Sequence, residues 1–458
     1  MKKKNVVLLS GLFVGMALVS CGGQGTSGNS TADVSSSLNV EVDPSIKATI
    51  SMLIPSGNEN ETTMIDKVTE GFNLKFPNVT IEKNYVSVSS YEATVRNQSM
   101  AGSLPDIVWT NSPEFYFLIK NNIAEPLNSY ISASERAGDF DFKTDFKTAY
   151  FDMGSAKGSY YVVPRSADSV VTFYNKKLLS DAGIDMTKIK NGWTWSDFTS
   201  VCAQYRTYLD NNGHSSDYYP VDANLLGWNS VSYPMLRSFG SDVLDESGKV
   251  IIDSAETRTA LAFMQDMINK RYTVKTGDTS GSSFEIGTAP FVFQSASFSL
   301  YDDKRVLHNN VDIVNFPLIT GAGTPSTPKI GAGIAGYTIN KKASNKALCW
   351  QYLNYLLSKD GQNALAEGGL NLAPIRNDLN DYKTAKWGEG YTTANLDAYL
   401  VYDEYKIPEE YLGRVDPKYM ADLQLAFQDM ISDATMLRKT IEKTIADAVS
   451  NFEDALSA

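Results

Sequence analysis

An α/β fold that finishes all-helical is predicted by three observations. Short apolar runs alternate with helical patterns in the first part of the chain, and the last part keeps one apolar face at helical spacing throughout. About 410 residues remain once an N-terminal leader and tether are set aside, enough for two or three domains with sizeable cores.

Residues 1–20 open with Lys2, Lys3 and Lys4, continue apolar from Val6 to about Val19, and close on Leu18, Val19 and Ser20 before Cys21. This is the build of a cleaved signal ending in a lipobox, and it is too short to span a bilayer, which takes about 20 apolar residues. Cleavage before Cys21 and lipidation of its thiol would anchor the chain on the extracellular side of the cell membrane, because two acyl chains hold where one is marginal. Residues 21–44, with Gly22, Gly23, Ser35, Ser36 and Ser37, read as a flexible tether. The folded body begins near Ile46.

The net charge is −12, and loss of the three leader lysines takes it to −15. Such a body repels nucleic acid and anionic lipid. Cys202 and Cys349 each fall in a helical apolar pattern and read as free, buried thiols. His214 and His308 have no partner at metal-ligand spacing, so no Cys/His zinc site, Cys-His nucleophile pair or other cofactor site is expected.

The elements follow in order. Thr49–Ile54 reads as a buried strand, and Met64, Ile65, Val68, Phe72 and Phe76 mark one helix face that Pro77 stops. A strand over Val79–Val86, a helix over Tyr91–Ala101 and a strand over Asp106–Thr110 complete a parallel pattern. Gly158–Pro164 and Val170–Tyr174 are strands around a polar turn. Thr194 is placed to cap a helix running to about Leu209, with Asp197 three residues on favouring the positive end of its dipole. Ala255–Lys270 is a helix. Val311–Phe316 and Ala335–Ile339 are strands, Asn345–Leu357 is a helix, and two more carry Leu423 to Ile431 and Leu437 to Leu456.

Six segments in this order resemble motifs of the carbohydrate-type extracellular solute-binding proteins of ABC importers, the family that includes maltose-binding protein. They are Ala101–Val108 with Pro105 and Asp106; Ile123–Leu127 with Pro126; Gly158–Pro164 followed by Tyr174, Asn175 and Lys176; Trp193–Phe198; Phe284, Gly287 and Ala289 before Phe291; and Trp350, Tyr352 and Leu353. The resemblance implies a two-lobe, periplasmic-binding-protein-like (type II) fold with a hinge and an interlobe cleft. It implies one lobe from 45–160 and 317–372 and another from 161–316 and 373–458, with crossings near Tyr161–Arg165, Val311–Pro317 and Asn371–Arg376.

A sugar presents an apolar ring face rimmed by hydroxyls, so its site needs aromatic plates and directed polar groups. Asp168 follows the strand ending at Pro164, where similar proteins place an acid, and Arg165 and Ser166 share its loop. Asn111 follows a strand end facing the implied cleft, whereas Trp109 fits a core or a cleft equally. Trp228, Asn229 and Tyr233 lie in a polar stretch, with Trp228 favoured as a stacking plate. Gln294 and Ser295 follow the Phe291–Phe293 strand. Ser297 beside Phe298 replaces a tryptophan common in the family, which speaks against a maltose-like ligand. Gly331 and Gly333 allow close backbone approach. Trp387, Ser56 and Asn58 complete the candidates, and Trp193, Trp195 and Trp350 are assigned to packing. The expectation is a monomeric binding protein, not an enzyme, that captures a sugar or oligosaccharide for ABC permease subunits in the membrane. Another small polar solute such as a sugar alcohol or glycerophosphodiester, a surface glycoside hydrolase and an adhesin remain as alternatives. Arg165 and Arg376 are the residues suggestive of a phosphate-bearing ligand.

Overall fold

The computed structural model describes residues 38–56, 59–214, 216–222, 229–295, 310–320, 327–333, 335–370, 372–391 and 393–457. The leader, Cys21, most of the tether, Asn58, Trp228 and Ser297 lie outside the described residues. Among the described residues, no helix is long and apolar enough to cross a membrane.

Pattern and burial agree at the start of the body. Strand β1 (Ala48–Ser56) buries Ile50, Met52, Leu53 and Ile54 on both its faces, as an inner parallel strand must. It pairs in parallel with β2 (Val79–Ser87) and β3 (Ile107–Thr110). The crossovers are helices α1 (Glu59–Lys75) and α2 (Val88–Ala101), and α1 buries Met64, Ile65, Val68 and Phe72. Gly102 ends α2 at φ +69°, a left-handed conformation that suits glycine. The Pro105-Asp106 motif acquires a physical reason here. The Asp106 carboxylate accepts from the Ser51 N–H at 2.9 Å and the Ser51 hydroxyl at 2.7 Å, which pins the start of β3 to β1.

Four short helices follow, α3 (Ser112–Lys120), α4 (Asn128–Ala137), α5 (Phe142–Asp145) and α6 (Thr148–Met153). The single strand expected over Gly158–Pro164 is divided. Strands β4 (Ser155–Ala156) and β5 (Ser159–Tyr160) make a hairpin, and β6 (Val163–Pro164) joins the large sheet. Next come β7 (Asp168–Ser169) and β8 (Val171–Asn175), then α7 (Lys176–Asp181), α8 (Trp195–Asn211), α9 (Asn229–Ser238) and α10 (Ala255–Asn269). At the head of α8 the Thr194 hydroxyl accepts from the Asp197 N–H, and the Asp197 carboxylate accepts from the Thr194 N–H at 2.9 Å, a reciprocal cap. Strand β8 is the centre of an antiparallel sheet between β9 (Phe291–Gln294) and β10 (Val311–Asn315).

Strands β11 (Ile330–Gly333) and β12 (Gly336–Ile339) belong to different sheets. Strand β12 completes the five-stranded order β2-β1-β3-β12-β6, whereas β11 lies between β7 and β13 (Lys406–Ile407) in a small sheet. The crossing expected near Val311–Pro317 is therefore not where the chain changes sheets. All of β10 pairs with β8 in the smaller antiparallel sheet, Ile330 packs with the second core, and the change falls between Gly333 and Gly336.

Helices α11 (Lys346–Leu357) and α12 (Lys359–Glu367) pack beside α1, and α13 (Met420–Met436) packs on α14 (Ile441–Ala455). Leu437, expected to open the last helix, instead stands between these two at φ +55°, and Thr440 caps α14. Two large apolar clusters result. One surrounds the five-stranded sheet and α11, where Trp350 donates to the Ser134 hydroxyl at 2.9 Å. The other surrounds Trp193, Trp195, Phe198, Phe291, Phe293 and Phe316. The first does not stop at its own sheet, because Leu396, Ala398 and Tyr399 continue it against the face of β8 and β10 that carries Val171, Phe173 and Ile313. Cys349 and Cys202 are free and buried, one in each cluster.

Candidate functional site

Two links between the sheets run side by side. The segment from Pro164 in β6 to Asp168 in β7 lies against the segment from Gly336 back to Gly333, because Gly336 pairs with Pro164 and Gly333 with Asp168. The segment at Ala373 is joined to them by the Ala167 N–H, which donates to the Ala373 carbonyl at 2.8 Å. Arg165, Ser166 and Asp168 thus stand on the link between the sheets, at the end of the large sheet where β3 also finishes.

Strand β3 delivers Trp109 and Asn111. Trp109 faces Tyr337 across the β3–β12 pair and meets Tyr91 edge-on at 5.4 Å between centroids. Asn111 precedes α3 in an extended conformation, yet its side chain makes no capping bond, which is unusual for an asparagine so placed. From the crossing, Arg165 Nη1 donates to both carboxylate oxygens of Glu61, at 2.8 and 2.9 Å. The Asp168 carboxylate lies 3.8 Å from the point where a Cβ on Gly333 would stand, with the Ser295 hydroxyl bonded to it. Gln294 closes β9 opposite Val171, half-buried.

What distinguishes this belt is its unfinished hydrogen bonding. Among the described residues, most of the buried side-chain polar atoms without a well-formed partner gather here: Trp109 Nε1, Asn111 Oδ1, Arg165 Nε, Ser166 Oγ, Asp168 Oδ1 and the Tyr85 and Tyr337 hydroxyls, with Glu114, Tyr150 and Ser169 beside them. Native interiors satisfy about nine in ten such groups. Such a concentration of exceptions among the described residues marks this place out from the rest of the interior.

The electrostatics agree. Burial pushes the Asp168 carboxyl up to about 6, against the Arg165 charge and the Ser295 hydroxyl, which hold it down. Glu114, in the first turn of α3, is pushed up to about 7 by burial. The Tyr337 hydroxyl is driven upward by burial while Arg165 beside it pulls the other way.

Several expected site residues lie elsewhere. Tyr233 is fully buried in the second cluster, its hydroxyl donating to Asp242 at 3.1 Å and its ring 5.2 Å from Tyr411, because α9 is buried along most of its length. Trp387 is buried against Tyr382, with Nε1 donating to the Leu379 carbonyl at 2.7 Å, so it packs rather than faces the belt. Arg376 is bidentate to Asp378 at 2.8 Å and lies over the Phe146 ring. Gly331 is small for a structural reason, since a Cβ there would stand 1.8 Å from the Ser230 carbonyl oxygen. Asn229 donates to Glu409 at 3.1 Å. Trp228 cannot be placed, being outside the described residues.

Glu61, Tyr85 and Tyr337 enter the belt without having been singled out in the sequence. Tyr337 alone carried a signal, as a large polar-tipped residue in the fully buried β12. Two surface hollows among the described residues lie away from the belt. One of about 250 Å³ is bounded by Gly102, Leu104, Ile123, Asn340 and Lys342, at the opposite end of β3. A groove of about 510 Å³ runs beside Trp195, Phe239 and Phe263. Among the described residues, no group of three or more His, Cys, Asp or Glu side chains could hold a metal ion.

Comparison with known proteins matches this frame. An arabinooligosaccharide-binding protein of Bacillus subtilis is 23% identical over 345 residues, 73% of this chain and 75% of that protein. One of Halalkalibacterium halodurans is 29% identical over 123 residues, 27% of this chain, so that the match spans only a quarter (25%) of that relative's length. The solved sugar-binding protein MalE of Xanthomonas citri superposes with a TM-score of 0.70 at 16% identity, over 89% of this chain and 97% of that one, which establishes a shared two-lobe α/β fold. Residues 55–363 match the family model as well, and the chain belongs to the bacterial extracellular solute-binding proteins.

Proposed function

We propose that this protein captures a carbohydrate, in first place a short arabinose-containing oligosaccharide, at the crossing belt and passes it chemically unaltered to the permease subunits of an ABC importer. The observation that carries the reading is the set of unpaired donors and acceptors on Trp109, Asn111, Arg165, Ser166 and Asp168, held at strand ends beside the link between the sheets. Sugar hydroxyls both donate and accept, and such a mixed set suits them. The names of the two sequence relatives supply the sugar class. The leader and Cys21 support a lipid anchor that holds the monomer at the outer face of the membrane.

The deciding experiment is calorimetry with arabinose, arabinotriose, arabinotetraose and maltotriose, followed by chromatography of the recovered ligand. Saturable binding of an arabino-oligosaccharide and its recovery intact are expected. Absence of binding by every saccharide, or recovery of shortened products, overturns the reading. Partition of the full-length chain into the membrane fraction, lost in Cys21→Ala, tests the anchor.

A further inference from the structure

The Arg165 charge is already committed. Its Nη1 meets both oxygens of Glu61, and the two side chains are 11% and 16% exposed. A paired, largely buried guanidinium offers its remaining N–H as a neutral-site donor rather than as a free cation. Nearby, Lys83 is ion-paired with Asp66. Among the described residues, the belt atoms left unpaired include the Trp109 indole N–H, Arg165 Nε and the acceptors Asn111 Oδ1 and Asp168 Oδ1, while the Tyr337 hydroxyl has Arg165 beside it and the Tyr85 hydroxyl has Thr62. With Glu61 and Asp168 set against Arg165, the charged side chains of this cluster sum to a negative value, which repels an anion.

We infer that Glu61 is a specificity-determining residue: by holding Arg165 it restricts the belt to uncharged saccharides and excludes uronates, sugar phosphates and phosphodiesters. This rests on the carbohydrate-binding reading above. The first turn of α1 supplies the carboxylate, so the filter comes from a different element than the crossing that bears the arginine.

The test compares the mature protein with Glu61→Gln by calorimetry at low salt, using arabinotriose, trigalacturonate and inorganic phosphate as probes. The wild type is expected to bind arabinotriose and neither anion. In E61Q the Arg165 charge is released, and the preference for the neutral probe over trigalacturonate should fall by about tenfold or more, the scale of one charge-assisted hydrogen bond. Wild-type binding of trigalacturonate or phosphate as tight as that of arabinotriose overturns the inference, and this arm needs no variant to fold. So does an E61Q protein with wild-type melting that still excludes both anions. If arabinotriose fails to bind the wild type while E61Q gains anion affinity, the carbohydrate reading falls and the charge filter stands. If arabinotriose binds and E61Q gains nothing, the reverse holds.

Discussion

The head of α8 and the Pro164–Asp168 crossing are built from the same kinds of residue and behave in opposite ways. At the first, Trp193 donates its indole N–H to the Asn315 carbonyl at 2.7 Å, and Thr194 and Asp197 satisfy one another. At the second, Trp109, Asn111, Ser166 and Asp168 leave atoms buried and unpaired. Each such atom costs about 1–3 kcal/mol. Unpaired buried atoms occur elsewhere too, on Asn73, Gln98, Arg206, Thr273 and Thr444, but singly, so it is their concentration at the crossing, and not the residue types, that sets it apart from the packed head of α8.

Substitutions can break or sharpen this contrast. Trp193→Ala should cost about 3–5 kcal/mol in urea unfolding, the loss expected for an aromatic removed from a core. Oligosaccharide affinity of the folded fraction should survive. Asp168→Asn should do the opposite, weakening arabino-oligosaccharide binding by about tenfold to a hundredfold in calorimetry. Its melting temperature should stay at or above that of the wild type, because a buried charge has been removed. Lys147 sits between the two cases. It is buried, donates to the Pro374 and Arg376 carbonyls at 2.8 and 3.2 Å, and is pushed down to about 7 by burial. Lys147→Met should cost about 1–3 kcal/mol of stability with affinity unchanged, and a loss confined to affinity would place it in the belt. Thr194→Ala should cost about 1 kcal/mol and leave binding alone.

The smallest expected effect is in pH. Between the ordinary carboxylate range and about 6, folded Asp168 keeps a proton that the unfolded chain has released, so its favourable contribution to stability is present at low pH and lost as pH rises through 6. Donating sugar hydroxyls favour the carboxylate. Affinity should therefore rise from pH 5 to pH 7, and Asp168→Asn should flatten that rise in calorimetric titrations.

The fold was legible where one period ran uninterrupted, as in β1, α1 and α8. It was less so at Gly158–Pro164, where a local hairpin competes with the sheet for one apolar run. Arg165, Ser166, Asp168 and Asn111 could be singled out because each follows a strand end. Tyr233 and Trp387 could not be judged from their neighbours in sequence, since Tyr411 and Phe427 cover the one and Tyr382 the other only after folding. Glu61 was hidden for a related reason. An acid in the first turn of a helix ordinarily serves the helix dipole, and its arginine lies 104 residues further on.

The adjacency of the crossings carries one more consequence. Gly336 with Pro164 and Gly333 with Asp168 are neighbouring pairings that belong to different sheets, so a twist of one sheet against the other would fall on the short link from Pro164 to Asp168. That link also bears Arg165 and Ser166. On the proposed reading, capture and bending would share one axle, and stiffening it should slow how quickly a sugar is taken up as well as how firmly it is kept.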